Sequence, residues 1–266
     1  MFGRNRIHFQ LPLSRLRGRG QGERATFLRI WTLALCLIAF IPQVQAGPKI
    51  QHWTLANGTR VYFVETHELP MLQIRAVFDA GSSRDPAAAA GLAQLTSAML
   101  DEGTGKLTTD DIASRFEGLG AEFGAGVDRD MASVNLRSLS DADLLNPALD
   151  LYARLLAAPS FPEANLARQR EQALVALQKD KQSPGTIAEK AFFQELYGDH
   201  PYGHESQGNE ASLKTIRREQ LLEFHRRYYV GANAWLVMVG DASQRQARAI
   251  AERVVGQLPR GQAAEA

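Results

Sequence analysis

Residues 80–104 read AGSSRDPAAAAGLAQLTSAMLDEGT, and this stretch decides the fold. It opens on a small-residue turn made by Gly81, Ser82 and Ser83. Asp85 stands at an N-cap position with Pro86 next to it, where a missing N–H costs a helix nothing. A run of helical period follows, and Gly103 stands where a helix C-terminus needs a residue that tolerates positive φ. Leu92, Leu95 and Met99 recur at three- and four-residue spacing and predict a buried stripe. By the same arithmetic Gln94, Ser97, Ala98 and Asp101 fall on a second stripe.

Outward from this stretch the pattern is mixed. On its N-terminal side, residues 52–55 and 60–64 flank Ala56-Asn57-Gly58, a strong hairpin signal. Residues 72–78 alternate as a third strand with one face buried. On the C-terminal side, Thr108 or Thr109 caps a helix over 108–119, with Asp110 and Asp111 in its positive first turn. A hairpin follows around Asp128-Arg129-Asp130, then helices over 141–157, 162–181 and 187–197. A Gly-Asp-His-Pro-Tyr-Gly loop (198–203), one or two helices over 213–229, an apolar strand over 234–240 expected to be buried on both faces, and a helix capped by Ser243 complete the order. These elements predict an α+β fold, a mainly antiparallel sheet packed against a layer of helices.

The second stripe carries a resemblance. Gly91-Leu92-Ala93 before it and Met99-Leu100-Asp101-Glu102-Gly103-Thr104 after it resemble the signature of the pitrilysin/insulinase zinc peptidases. In those inverted zincins the helix reads Gly-Leu-Ala-His-x-x-Glu-His, followed by Met-Leu-x-x-Gly-Thr. The chain instead has Gln94-Leu95-Thr96-Ser97-Ala98 at the centre. The element order over residues 49–258 is similar to the family's domain, which occurs there as a tandem pair; one domain is present here, followed by a polar tail over 259–266.

The resemblance implies where chemistry would sit. In the family two histidines one turn apart and a glutamate on a later helix bind Zn²⁺, and the motif glutamate activates water. Carried over, the ligand positions are Gln94, Ala98 and Ala176, and the base position is Ser97. Alanine has no donor atom and a neutral carboxamide is a weak ligand, so this chain is expected to hold no zinc and to have no catalytic residue. The resemblance further implies a heterodimer with a zinc-bearing homologue that supplies the metal. It also implies an extended peptide laid along Glu122-Phe123-Gly124-Ala125-Gly126-Val127 as an added strand. An active peptidase with displaced ligands and a stand-alone peptide-binding or scaffold module are the alternatives.

Other polar groups read more simply. His200 and His204 are four apart beside Glu205, but Pro201 and Gly203 forbid a regular helix between them. Asp101 and Glu102 read as a solvated helix terminus, His67 as loop surface before Pro70, and His225 as an exposed helix face. No Gly-rich phosphate loop, nucleophile elbow or Ser/His/Asp constellation is visible.

Composition bounds the remainder. The 266 residues are 45% hydrophobic with a formal net charge of +1, enough for a sizeable core and without the bulk charge of a nucleic-acid binder. Seven arginines lie within the first 29 residues, followed by an apolar run over 31–41 and Val44-Gln45-Ala46. This predicts a signal peptide over 1–46 cleaved after Ala46, a periplasmic or otherwise exported product, and no stable membrane span after cleavage; an uncleaved anchor is the alternative. The single cysteine, Cys36, lies in that leader, so the mature chain lacks a thiol for disulfide, nucleophile or metal.

Overall fold

Asn57 and Gly58 turn the first hairpin. Strand β1 (Ile50–Thr54) pairs antiparallel with β2 (Arg60–Glu65), Thr54 opposite Arg60. The Asn57 side chain accepts from Thr59 N at 3.1 Å and donates to the carbonyls of Val255 (2.7 Å) and Leu258 (3.2 Å), tying the turn to the far end of the chain. The computed structural model describes residues 47–265. The signal peptide expected over residues 1–46 lies outside them.

Strand β3 (Met71–Phe78) buries Leu72, Ile74, Ala76 and Phe78, as its alternation predicts. The Asp128–Asp130 turn joins β6 (Glu122–Val127) to β7 (Ala132–Leu139). Together with β8 (Ala234–Gly240) these form a six-stranded sheet in the order β1-β2-β8-β3-β7-β6; only β2 and β8 run parallel. Two short strands, β4 (Gly103–Thr104) and β5 (Leu107–Thr108), pair separately.

The helices are α1 (Leu92–Ala98), α2 (Thr109–Gly118), α3 (Ala142–Ala157), α4 (Glu163–Asp180), α5 (Pro184–Tyr197), α6 (Glu210–Thr215), α7 (Arg218–Tyr228) and α8 (Gln244–Val255). Thr108 caps α2 in a capping box with Asp111, and Asp141 caps α3. Helices α3 and α8 pack together and lie on the sheet. Tyr152 of α3 is fully buried; its hydroxyl donates to Val134 O (2.7 Å) and accepts from Ala76 N (3.2 Å), bridging β7 and β3.

Three expectations need correction. Strand β8 is buried on one face only: Leu236 and Met238 are inaccessible, whereas Val237 and Val239 are 36% and 39% exposed, because the helices cover a single face of the sheet. The motif helix is shorter than its sequence pattern: Ala87–Ala89 form a 3₁₀ turn, Gly91 sits at φ +92°, and α1 runs only over Leu92–Ala98. Gly103 therefore belongs to β4 and caps no helix. The tail after Pro259 has no regular secondary structure, yet it is pinned: Gly231 N donates to Pro259 O, Ala232 N to Arg260 O (both 2.8 Å), and Arg84 Nη1 to Glu265 O (2.7 Å).

Candidate functional site

Asp85 does not cap a helix beginning at Pro86. Its carboxylate reaches over the 3₁₀ turn and accepts from Gly91 N and Ala93 N, both at 2.8 Å, so it caps the start of α1 from seven positions upstream of Leu92. Burial raises the Asp85 carboxyl to about 7, against the opposing pull of those N–H donors. The Gly81 turn is docked as tightly: Gly81, Ser82 and Ser83 N–H groups donate to Asp130, Asp128 and Arg129 carbonyls. A Cβ on Gly81 would stand 2.3 Å from Arg129 O, so only glycine fits.

Helix α1 packs against α4, α7 and β6, which brings the helices bearing the four carried-over positions together. Gln94 and Ala98 are half-buried, Ser97 is buried, and Ala176 lies exposed on α4. Ser97 Oγ and the hydroxyl of Tyr229, both shielded from water, lie beside each other; burial raises the Tyr229 phenol, against the opposing pull of the Ser97 hydroxyl. One carboxamide, one hydroxyl and two methyl groups make a donor set that does not suit zinc. Among the described residues no group of three or more His, Cys, Asp or Glu is arranged to hold a metal ion.

The largest departure from the sequence reading is Glu102. It is not solvated: its side chain is 5% exposed and is surrounded by donors. Gln169 Nε2 (2.5 Å) bonds Oε1, while Arg168 Nη2 (2.5 Å), Asn165 Nδ2 (2.7 Å) and Thr109 Oγ1 (2.8 Å) converge on Oε2. Burial pushes this carboxyl up, but the bonds from Gln169, Thr109 and Asn165 and the charge of Arg168 outweigh it and hold it below the ordinary range. Glu102 thus ties the end of the motif to α2 and α4. The i, i+3 and i+4 spacing of Asn165, Arg168 and Gln169 was the available signal for one polar face turned to a common partner. Asp101 is half-buried, and burial raises its carboxyl.

His225 is likewise not exposed. It is buried in α7, its Nε2 bonds Leu156 O at 2.9 Å, and its ring stacks on Tyr229 at 4.8 Å. Burial lowers its pKa to about 4, so it is neutral in the fold. His67 lies on the surface between two carboxylates, Asp241 (2.6 Å) and Glu65 (3.1 Å). His200 accepts from Tyr202 N and packs tilted against Tyr197, whereas His204 is held against the backbone of Ser82 and Glu205, so the two histidines have separate partners.

Among the described residues strand β6 is an edge of the large sheet, with β7 on one side and no strand on the other. Glu122 and Arg137 pair across β6 and β7, which fixes the register from one end. Phe123 stacks on Phe116 at 5.4 Å, and the two glycines, Gly124 and Gly126, have open space where a Cβ would point. The segment therefore presents free backbone beside α1.

The family model described as Insulinase (Peptidase family M16) matches residues 60–209, and that of the Peptidase M16 inactive domain matches residues 215–266. An uncharacterized zinc protease of Rickettsia bellii is 23% identical over 208 residues, covering 78% of this chain and 50% of that protein. The non-peptidase homolog YmxG of Helicobacter pylori is 25% identical over 205 residues, covering 77% and 47%. The crystal structure of a peptidase M16 inactive domain from Pseudomonas fluorescens superposes with a TM-score of 0.80 at 44% identity, covering 82% of this chain and 53% of that one. The chain spans about half the length of the curated relatives it matches.

Proposed function

The chain belongs to the insulinase family of peptidases, M16, and we propose that it serves there as a non-catalytic subunit. In this reading it is exported, holds no zinc, pairs with a zinc-bearing homologue, and helps to enclose an extended peptide along β6. The observation that carries it is a contrast in the motif frame: α1 is folded and braced, while Gln94, Ser97 and Ala98 on it and Ala176 on α4 supply no zinc donor set. Similarity to a protein named a non-peptidase homolog and to an M16 inactive domain supports the loss of catalysis. The open edge of β6 supports peptide holding, because strand addition needs backbone groups rather than special side chains. Export rests on the leader composition alone.

Two measurements test it. The purified chain should carry substoichiometric zinc and leave peptides uncut; hydrolysis abolished by a chelator and restored by zinc would overturn the reading in favour of a peptidase with displaced ligands. Extended peptides should bind, and N-methylation of alternate peptide bonds should abolish binding by removing the added strand's donors. The same open edge also favours a stand-alone peptide-binding module. Co-purification of a zinc-bearing homologue from the native host separates the two readings.

A further inference from the structure

The loop at residues 198–204 finds no part in the reading above, yet it builds a cavity. Where β6 ends, the Asp128–Asp130 turn meets the Gly81 turn, α5 and His204 around a hollow of about 210 Å³, roughly the volume of seven waters. Arg129 lies two residues beyond the last residue of β6. Its guanidinium stacks on Phe193 of α5, with Cζ 3.5 Å from the ring centroid. Among the described residues it makes no ion pair and no side-chain hydrogen bond, and its Nε is shielded from water without a partner. His204, beside it, is turned to the backbone of Ser82 and Glu205, and burial lowers its pKa. The other cation of the hollow is already matched: Lys190 bonds Glu205 at 2.7 Å and lies 3.8 Å from Asp180. Glu189 is exposed at the rim. The neighbouring Asp130 takes the Tyr202 hydroxyl, and Asp128 takes the turn's own N–H groups. A planar guanidinium that lines a cavity and has no anionic partner among the described residues is suited to a carboxylate.

We propose that this hollow is a subsite for a carboxylate of the peptide held on β6, with Arg129 as its anchor. This rests on the peptide-holding reading and adds a chemical preference to it. A strand added to β6 that extends past Val127 arrives at Arg129. An added strand of either direction can deliver an acidic side chain there, and one running parallel to β6 can deliver its terminal carboxylate.

Four fluorescein-labelled alternating Val–Thr peptides, with Glu or Gln at both ends and each with a free or amidated C-terminus, are titrated into the purified chain by fluorescence anisotropy. A peptide that presents the received carboxylate should bind about tenfold tighter than the amidated Gln peptide. If the side chain is the group received, the amidated Glu peptide keeps the advantage; if the terminus is, the free Gln peptide does. The variant Arg129→Gln, checked for unchanged circular dichroism, should erase the advantage while still binding the amidated Gln peptide. Equal binding of all four, or an advantage that survives Arg129→Gln, overturns the subsite and leaves strand addition standing. No binding by any of the four overturns both.

Discussion

Gln94, Ser97 and Ala98 along α1, and Asp85 and Glu102 at its two ends, are polar or small residues of one motif frame in opposite conditions. Among the described residues the Gln94 side chain makes no hydrogen bond, Ala98 has no polar atom to offer, and the buried Ser97 Oγ has only the Tyr229 hydroxyl beside it. The last two are engaged: Asp85 receives two backbone N–H groups, and Glu102 receives four side-chain donors. The difference teaches that the frame is retained for mechanical reasons. A helix of seven residues is too short to hold itself. Its carboxylate braces do that work whether or not a metal is bound.

Glu102→Ala should have the largest effect, because it strands Asn165, Gln169 and Thr109 beside a buried gap. A loss of about 3–4 kcal/mol is expected in urea denaturation, toward the low end because Arg168 is half exposed. His225, on the helix packed against α1, gives a pH signature. Its folded pKa of about 4 lies below its ordinary 6.5, so the unfolded chain takes the proton first and stability falls as pH drops from 6.5 to 4. Relative to His225→Gln, the wild type should lose about 3 kcal/mol over that window. Asp85 pulls in the opposite direction, and subtracting the variant cancels it. Asp85→Ala, which frees two N–H groups at the start of α1, should cost about 2 kcal/mol. Gln94→Ala should shift stability by less than about 0.5 kcal/mol. A Gln94 effect as large as that of Glu102 would break the comparison.

The sequence exposed what is local. Alternation in β3, the Asn57-Gly58 turn, the threonine cap before residues 109–118 and the helices over 141–157 and 162–181 are each decided within a few residues, and each is present in the fold. The misread features depend on distant partners. Glu102 looks solvated until α4 brings Asn165, Arg168 and Gln169 to it, and His225 looks exposed until Leu156 and Tyr229 close over it. The start of α1 was hidden because Asp85-Pro86 satisfies the rules for a cap, while Gly91 at φ +92° resets the chain afterwards. For β8, apolar content signalled burial without telling that only one face has helices on it. Gln94, Ser97, Ala98 and Ala176 are assigned as zinc-motif positions by the resemblance, and the chemistry of their side chains needs no tertiary context to read.

The position of β8 has a consequence for how the molecule is made. Hairpins β1–β2 and β6–β7 can each form from neighbouring sequence, and β3 must find β7 across the intervening helices; among the described residues β8 joins the two parts, pairing with β2 on one side and β3 on the other. A nascent chain must therefore reach Gly240 before the two parts can zip together, and until then β2 and β3 both offer unsatisfied edges. Stalling or proteolysis before that residue leaves a sticky intermediate, and closure of this sheet hinges on β8 arriving in time.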